Sequence, residues 1–167
     1  MFRSTVSRIV FITFAAFFIA LSLQSPLRAD GQPMILPTNP VPLVIHTARG
    51  PQSFSIEIAQ TDEQEEAGLM YRKTMDSRHG MLFVLEAAGI AAFWMENTPM
   101  PLDLIFIGEK GKIRAIRHGV PYSKDIISPK VPVRFVLELK AGTAAKYGIA
   151  VGDRVSHPAI AKIAHAG

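Results

Sequence analysis

The sequence contains no cysteine. That excludes disulfides, thiol catalysis, cysteine-ligated zinc and a lipid-modified N-terminal cysteine, so the fold must rest on apolar burial. No GxSxG, phosphate-binding P-loop or GxGxxG is present either. His46, His118, His157 and His165 show no HxH or HExxH spacing, and His79 stands alone before "GMLF", so spacing defines no zinc site. Tryptophan occurs once, at Trp94. Long basic runs interleaved with aromatics are missing, which removes the electrostatic footprint of a nucleic-acid binder.

What the chain does have is length for one domain, 167 residues, and an unusual N-terminus. Arg3 and Arg8 precede the apolar run "IVFITFAAFFIALSL", which "QSPLRAD" follows. A positive segment, an apolar segment and a small residue at Ala29 together read as a secretory signal over residues 1–29. The run is shorter than the roughly 20 residues a spanning helix needs; an uncleaved anchor is the alternative, and the chain's one route to a membrane. Of the 18 Lys and Arg, only Arg3, Arg8 and Arg28 lie before residue 30, and none of the 14 Asp and Glu does, so the remainder carries +1. The expected location is therefore the periplasm or the outside of the cell.

Residues 30–42, "DGQPMILPTNPVP", are a proline-rich arm. From Leu43 the pattern turns β-like. "LVIHT" and "SFSIEIA" are strands around "ARGPQ"; in the second, Phe54, Ile56 and Ile58 define the buried face, and Glu57 lies on the more polar one. "TDEQEEAGLMYRK" predicts a helix, with Thr61 and Gln64 as a capping box and Ala67, Met70 and Tyr71 facing inward. "GMLFVL" and "IAAFWM" are apolar strands, and "LDLIFIGEKGKIRAI" is a hairpin turning near Lys110-Gly111. In "VPVRFVLEL", Val133, Phe135, Leu137 and Leu139 oppose Arg134, Glu138 and Lys140, with Val136 among the latter. "GTAAKYG" gives a short helix and "IAVGDRV" a last strand; residues 156–167 read as a flexible tail. The sum is a single mainly β domain over residues 43–155, a compact sandwich or barrel with one or two short helices.

Four stretches in order carry a resemblance: Gly-Leu-Met-x-Arg ending at Arg72, Gly-Met-Leu-Phe at 80–83, Trp-Met-x-Asn-Thr followed by Pro-Leu-Asp over 94–103, and Leu-Glu-Leu-x-x-Gly at 137–142. With them, roughly residues 43–155 resemble the bacterial and archaeal domain-of-unknown-function family numbered 192. The resemblance implies a compact β-rich, sandwich-like domain, often exported, with no established activity. The third motif often carries Lys where this chain has Glu96.

The densest candidate site is "FWMENTPMPLDLIFI". Leu102, Leu104 and Phe106 point to one face of a strand and Asp103, Ile105 and Ile107 to the other. Asp103 heads a run buried on both sides and needs donors; the nearest in sequence are the Asn97 amide, the Thr98 hydroxyl and turn N–H groups. Pro99 and Pro101 stiffen this corner. Asp103 then either satisfies backbone donors or faces a ligand. Trp94 is a core residue or a pocket wall. Arg72 pairs with Asp103, Glu138 or helix carbonyls, or else grips an anion. Glu138 is a solvated strand charge or a participant.

These residues support an exported module that binds a small molecule or a cell-envelope component, with Arg72, Trp94, Asn97, Thr98, Met100, Asp103 and Glu138 as ligand contacts and no cofactor. One alternative is a hydrolase-like enzyme with Asp103 or Glu138 as general base and Arg72 or Asn97 stabilising negative charge; no catalytic residue is assigned. A weaker alternative is a soft copper site from Met95, Met100 and His79, since thioether and imidazole are the soft ligands left without cysteine.

Overall fold

The computed structural model describes residues 31–165. The segment read as a signal lies outside them. One seven-stranded sheet curls into a half-barrel, with strand order β5-β4-β6-β3-β2-β1-β7. The strands are β1 (Leu43–Thr47), β2 (Gly50–Ala59), β3 (His79–Gly89), β4 (Leu102–Ile107), β5 (Ile113–Gly119), β6 (Val133–Lys140) and β7 (Arg154–Ser156). All pairings are antiparallel except β2 with β3, whose crossover carries the first helix. The mainly β architecture read from the sequence is the one found.

The sheet has a filled inner face and a covered outer face. Inside lie Leu43, Ile45, Phe54, Ile56, Ile105, Ile107, Phe135, Leu137 and Leu139. Outside lie Met81, Phe83, Leu102, Leu104, Phe106 and Val136, under Leu69, Met95 and Met100. Each fully buried side chain of this size contributes about 1.5–3 kcal/mol. Alternation on β4 runs as its sequence requires. On β6, Val133 departs from it and joins the outer group, beyond the irregularity in β3–β6 pairing between Val84 and Gly89. The two sheet edges meet: Val155 N–H donates to Gly111 O at 2.7 Å and Ile113 N–H to Asp153 O at 2.9 Å. This contact uses edge groups that would otherwise be open to pairing. It needs a glycine at 111, where φ is 74° and a Cβ would stand 2.6 Å from Val155 O.

Among the described residues three helices are present rather than one or two. α1 (Asp62–Ala67) has the expected cap: Gln64 N–H donates to Thr61 Oγ1 at 3.3 Å, and Gln60 N–H to Gln64 Oε1 at 2.9 Å. It stops well short of Arg72, because Gly68 takes φ 41° against the Phe83 ring. Met70 and Tyr71 are thus in a turn, not on a helix face. α2 (Thr143–Tyr147) ends at Gly148 as read. α3 (Pro158–Ala164) occupies the stretch expected as a tail. His157 starts it: its Nδ1 accepts from Ala159 N–H at 3.1 Å, and its Nε2 donates to Val41 O at 3.1 Å. Burial holds that imidazole's pKa down, against the Val41 hydrogen bond. Ile160 then anchors α3 in the inner core. The pairing of a capping side chain with Pro158 at the first turn was a legible helix start.

"IAAFWM" is not a strand. After Gly89 the chain crosses the outer face irregularly, held by Phe93 N–H to Ile127 O at 3.0 Å and Met95 N–H to Ser123 O at 2.9 Å. Its apolar residues are apolar because they lid the sheet, not because they belong to it.

Candidate functional site

A one-residue step along the sheet decides which acids share a face. Glu57, Met81, Glu138 and Leu104 form one row across β2, β3, β6 and β4. The next row, Ile56, Gly80, Leu139, Asp103 and His118, points inward. Asp103 and Glu138 therefore face opposite sides of the sheet, which ends the paired-carboxylate form of the hydrolase reading.

Asp103, fully buried, has donors other than those expected. His118 Nδ1 lies 2.8 Å from Oδ1, and Ala144 N–H donates to Oδ2 at 2.8 Å. It fastens β4 to β5 and to the start of α2. Thr98 instead donates from Oγ1 to Glu96 O at 3.2 Å, and exposed Asn97 accepts from Tyr71 N–H at 2.7 Å through its carbonyl. Arg72 pairs with neither Asp103 nor Glu138. Its Nη1 and Nη2 grip Glu57 at 2.6 and 2.5 Å, and its Nε donates to Met34 O at 2.9 Å. Glu57 also accepts from Leu36 N–H at 2.8 Å and lies 3.0 Å from His79 Nε2. This acid, read as part of a polar face, is the buried clasp that ties the arm to the outer sheet. Burial alone would raise its pKa; hydrogen bonds from Arg72, His79 and Leu36, with the Arg72 charge, hold it below the carboxylate range. Met95 and Met100 pack in the outer core, and His79 is engaged by Glu57. Among the described residues no three His, Asp or Glu side chains gather for a metal.

Glu138 differs from all of these. It is 4% exposed, and burial is the sole cause that pushes its pKa up to about 8. No hydrogen bond or ion pair reaches its side chain among the described residues. Instead it lines a cavity of about 360 Å³. Phe83, Leu85 and Leu69 form the walls, Thr98 and Phe93 come from the lid, and Trp94 stands at the rim, 46% exposed. Glu65 and Glu66 reach it from α1. Ligand sites of roughly 300–1,000 Å³ are typically apolar with a few placed polar groups. A strongly perturbed acid in such a cleft is a site candidate on physical grounds. A second crevice of about 550 Å³ shares Glu66, Met70 and Trp94 and runs on to Tyr71, Glu96 and Asn97.

The lid is built under local strain. Tyr71, Asn97 and Tyr122 all have positive φ, at 63°, 54° and 62°. They interlock, since Tyr71 N–H donates to Asn97 O and Tyr122 N–H to Thr98 O at 3.1 Å. Such conformations cost of order 1–3 kcal/mol for a bulky residue and persist where surroundings over-determine them, often beside ligands. Of the seven residues singled out in the sequence, the cavity gathers Trp94, Thr98 and Glu138; Asn97 borders the adjoining crevice, and Arg72, Met100 and Asp103 lie elsewhere. Glu65, Leu69 and Phe93 were not singled out. The polar-corner motif pointed near the site, but nothing local in the sequence marks the α1 contribution.

Fold and site together define a curled-sheet β domain with a lidded pocket over a buried acid on its outer face. The chain belongs to the DUF192 family, described as an uncharacterized ACR, which it matches over residues 44–157 and for which no activity is established. It is similar to a proposed transcription regulator from Sinorhizobium meliloti 1021, at 38% identity and a TM-score of 0.71, over 77% of this chain and 99% of that one. It is also similar to a protein of unknown function from Novosphingobium aromaticivorans DSM 12444, at 31% identity and a TM-score of 0.69, over 78% and 98%. No curated protein matches.

Proposed function

We propose that this chain is a small-ligand-binding domain whose site is the pocket between Trp94 and Glu138. One observation carries the reading: a buried carboxyl without a partner among the described residues opens into a largely apolar cavity, where a purely structural acid would be hydrogen-bonded. The ligand supplies the missing partner. The corner at residues 94–98 serves as lid rather than as the polar centre.

Trp94, the sole tryptophan, is its own reporter. A thermal-shift screen of small metabolites and cell-wall fragments, followed by Trp94 fluorescence titration, should yield a compound that stabilises the protein and changes the emission. Glu138→Gln should alter that response. Asp103→Asn should keep it while lowering stability by about 1–3 kcal/mol, through the lost His118 and α2 contacts. Absence of any response across the screen would defeat the reading.

The same acid favours one second reading, general-acid catalysis. With a pKa near 8, Glu138 holds its proton at neutral pH and is a donor, not the general base first considered. Conversion of a screened compound, abolished in Glu138→Gln, would select it. Export is part of the proposal and rests on Arg3, Arg8 and the apolar run after them. Fractionation of cells expressing the full chain should place it outside the cytoplasm, and N-terminal sequencing should show a start close to Asp30; a cytoplasmic product would remove that part.

A further inference from the structure

Charge around the pocket is one-sided. Among the described residues that line the cavity and its adjoining crevice, there is no Lys, Arg or His. The acids are Glu138 on the floor, Glu65 and Glu66 from α1, and Glu63 and Glu96 along the crevice. Glu96 pairs with exposed Lys124 at 2.6 Å, and the Arg134 charge acts on Glu65 from the neighbouring crevice. The pKa of Glu65 is raised, by burial first and by Asp62 next, against the opposing charge of Arg134. The walls are aromatic: Phe83 and Phe93 meet edge to face with centroids 5.2 Å apart, and Trp94 keeps much of its ring accessible. Aromatic faces beside desolvated carboxylates are the chemistry that holds an organic cation.

We propose that the pocket's ligand carries an alkylammonium group, seated between the Glu138 carboxylate and the Trp94 and Phe93 rings. This rests on the pocket being a binding site and names its ligand class. The acids alone would be a solvated face; Glu138, 4% exposed and without a partner among the described residues, is the independent feature that points to an occupant. An anionic ligand would meet repulsion from Glu65 and Glu66, and a neutral one would leave their field unused.

Binding then exchanges a proton for the cation. Glu138 enters as the neutral acid; the ammonium displaces its proton to solvent, and the complex holds a carboxylate against the cation. Among the described residues, the titratable groups that share the cavity with Glu138 are Glu65 and Glu66. β3 presents Met81, Phe83 and Leu85, β4 presents Leu102 and Leu104, and the lid presents Thr98. On β6, Lys140 is exposed, and Arg134 lines a neighbouring crevice with Asp62 and Glu86 that shares Glu65 and Leu85 with the pocket. α1 supplies Glu65 and Glu66.

The test is titration of the purified protein with choline, butylammonium and uncharged 3,3-dimethylbutan-1-ol, followed by Trp94 fluorescence from pH 6 to 9. At least one cation should bind about tenfold or more tightly than the alcohol. Its affinity should rise by up to about tenfold per pH unit below pH 8 and level off above. Glu138→Gln should flatten that dependence and weaken cation binding. Equal binding of the alcohol, a flat pH profile in the unaltered protein, or cation binding unchanged in Glu138→Gln overturns the proposal. If an uncharged compound binds and Glu138→Gln alters it while neither cation binds, the ligand class falls and the pocket reading stands. If neither these probes nor the wider screen binds, both fall.

Discussion

Between about pH 4.5 and 8 the protein should lose stability as pH rises, and the Glu138→Gln variant should lose much less. The sign follows from the two states. Unfolded, Glu138 titrates near the ordinary 4.5; folded, burial raises it to about 8. Within that window the folded state keeps a proton that the unfolded state has released, so rising pH favours unfolding. The slope is about 1.4 kcal/mol per pH unit, of order 5 kcal/mol across the window. Below it both states are protonated and the group is neutral to folding; above it both are ionised and the penalty stops growing. Glutamine keeps the shape and the donor of the neutral acid, so the variant should be the more stable protein at pH 8. Glu57 and His157, lowered, and Glu65, raised, remain in both proteins and cancel in the difference. Denaturant unfolding of the pair at half-unit pH steps checks this; parallel curves would mean that Glu138 is not a buried acid.

Glu57→Ala is expected to cost about 3–5 kcal/mol, the range for removing one member of a buried ion pair. The loss falls mainly on what remains. Arg72, 8% exposed, would keep its charge without a carboxylate, and Leu36 N–H and His79 would lose their acceptor. Arg72 would still hold Met34 O, so the arm should loosen rather than detach. Limited proteolysis should therefore cut within residues 31–42 sooner than in the unaltered protein. The clasp has the opposite pH behaviour to Glu138. Its pKa is lowered, so its stabilisation is present above the unfolded value near 4.5 and is lost as pH falls through the depressed folded value. Replacing Glu57 and Arg72 together by methionine should recover much of the single-variant loss, since no charge is then stranded. An unfolding free energy within about 1 kcal/mol of the unaltered protein for Glu57→Ala would show the clasp to be dispensable.

These two glutamates show where sequence reading stops. Both sit in alternating strands, and alternation says only that they face away from Ile56 or Leu137. Glu57 is buried because the arm and the turn at Leu69–Arg72 fold over it, and Glu138 because the lid does. Neither cover is local in sequence. "IAAFWM" misled for the same reason: an apolar run fits a strand or a lid equally well, and periodicity cannot separate them. The amphipathic pattern of α1 continues past Gly68, whereas packing against Phe83 ends the helix there.

The sequence by itself determined the β strands of the sheet, the Thr61 cap, the hairpin at Gly111, the alternation of β4 and the family. Each depends on near neighbours along the chain: a two-residue period, a capping oxygen, a glycine where φ must be positive. Only the tertiary structure decided which of the acids is free. Asp103 is consumed by His118 and Ala144, Glu57 by Arg72, and Glu138 by none of the described residues. A carboxylate's role depends on the donors brought to it in space and on the water removed from it. Strand order, not residue order, sets both.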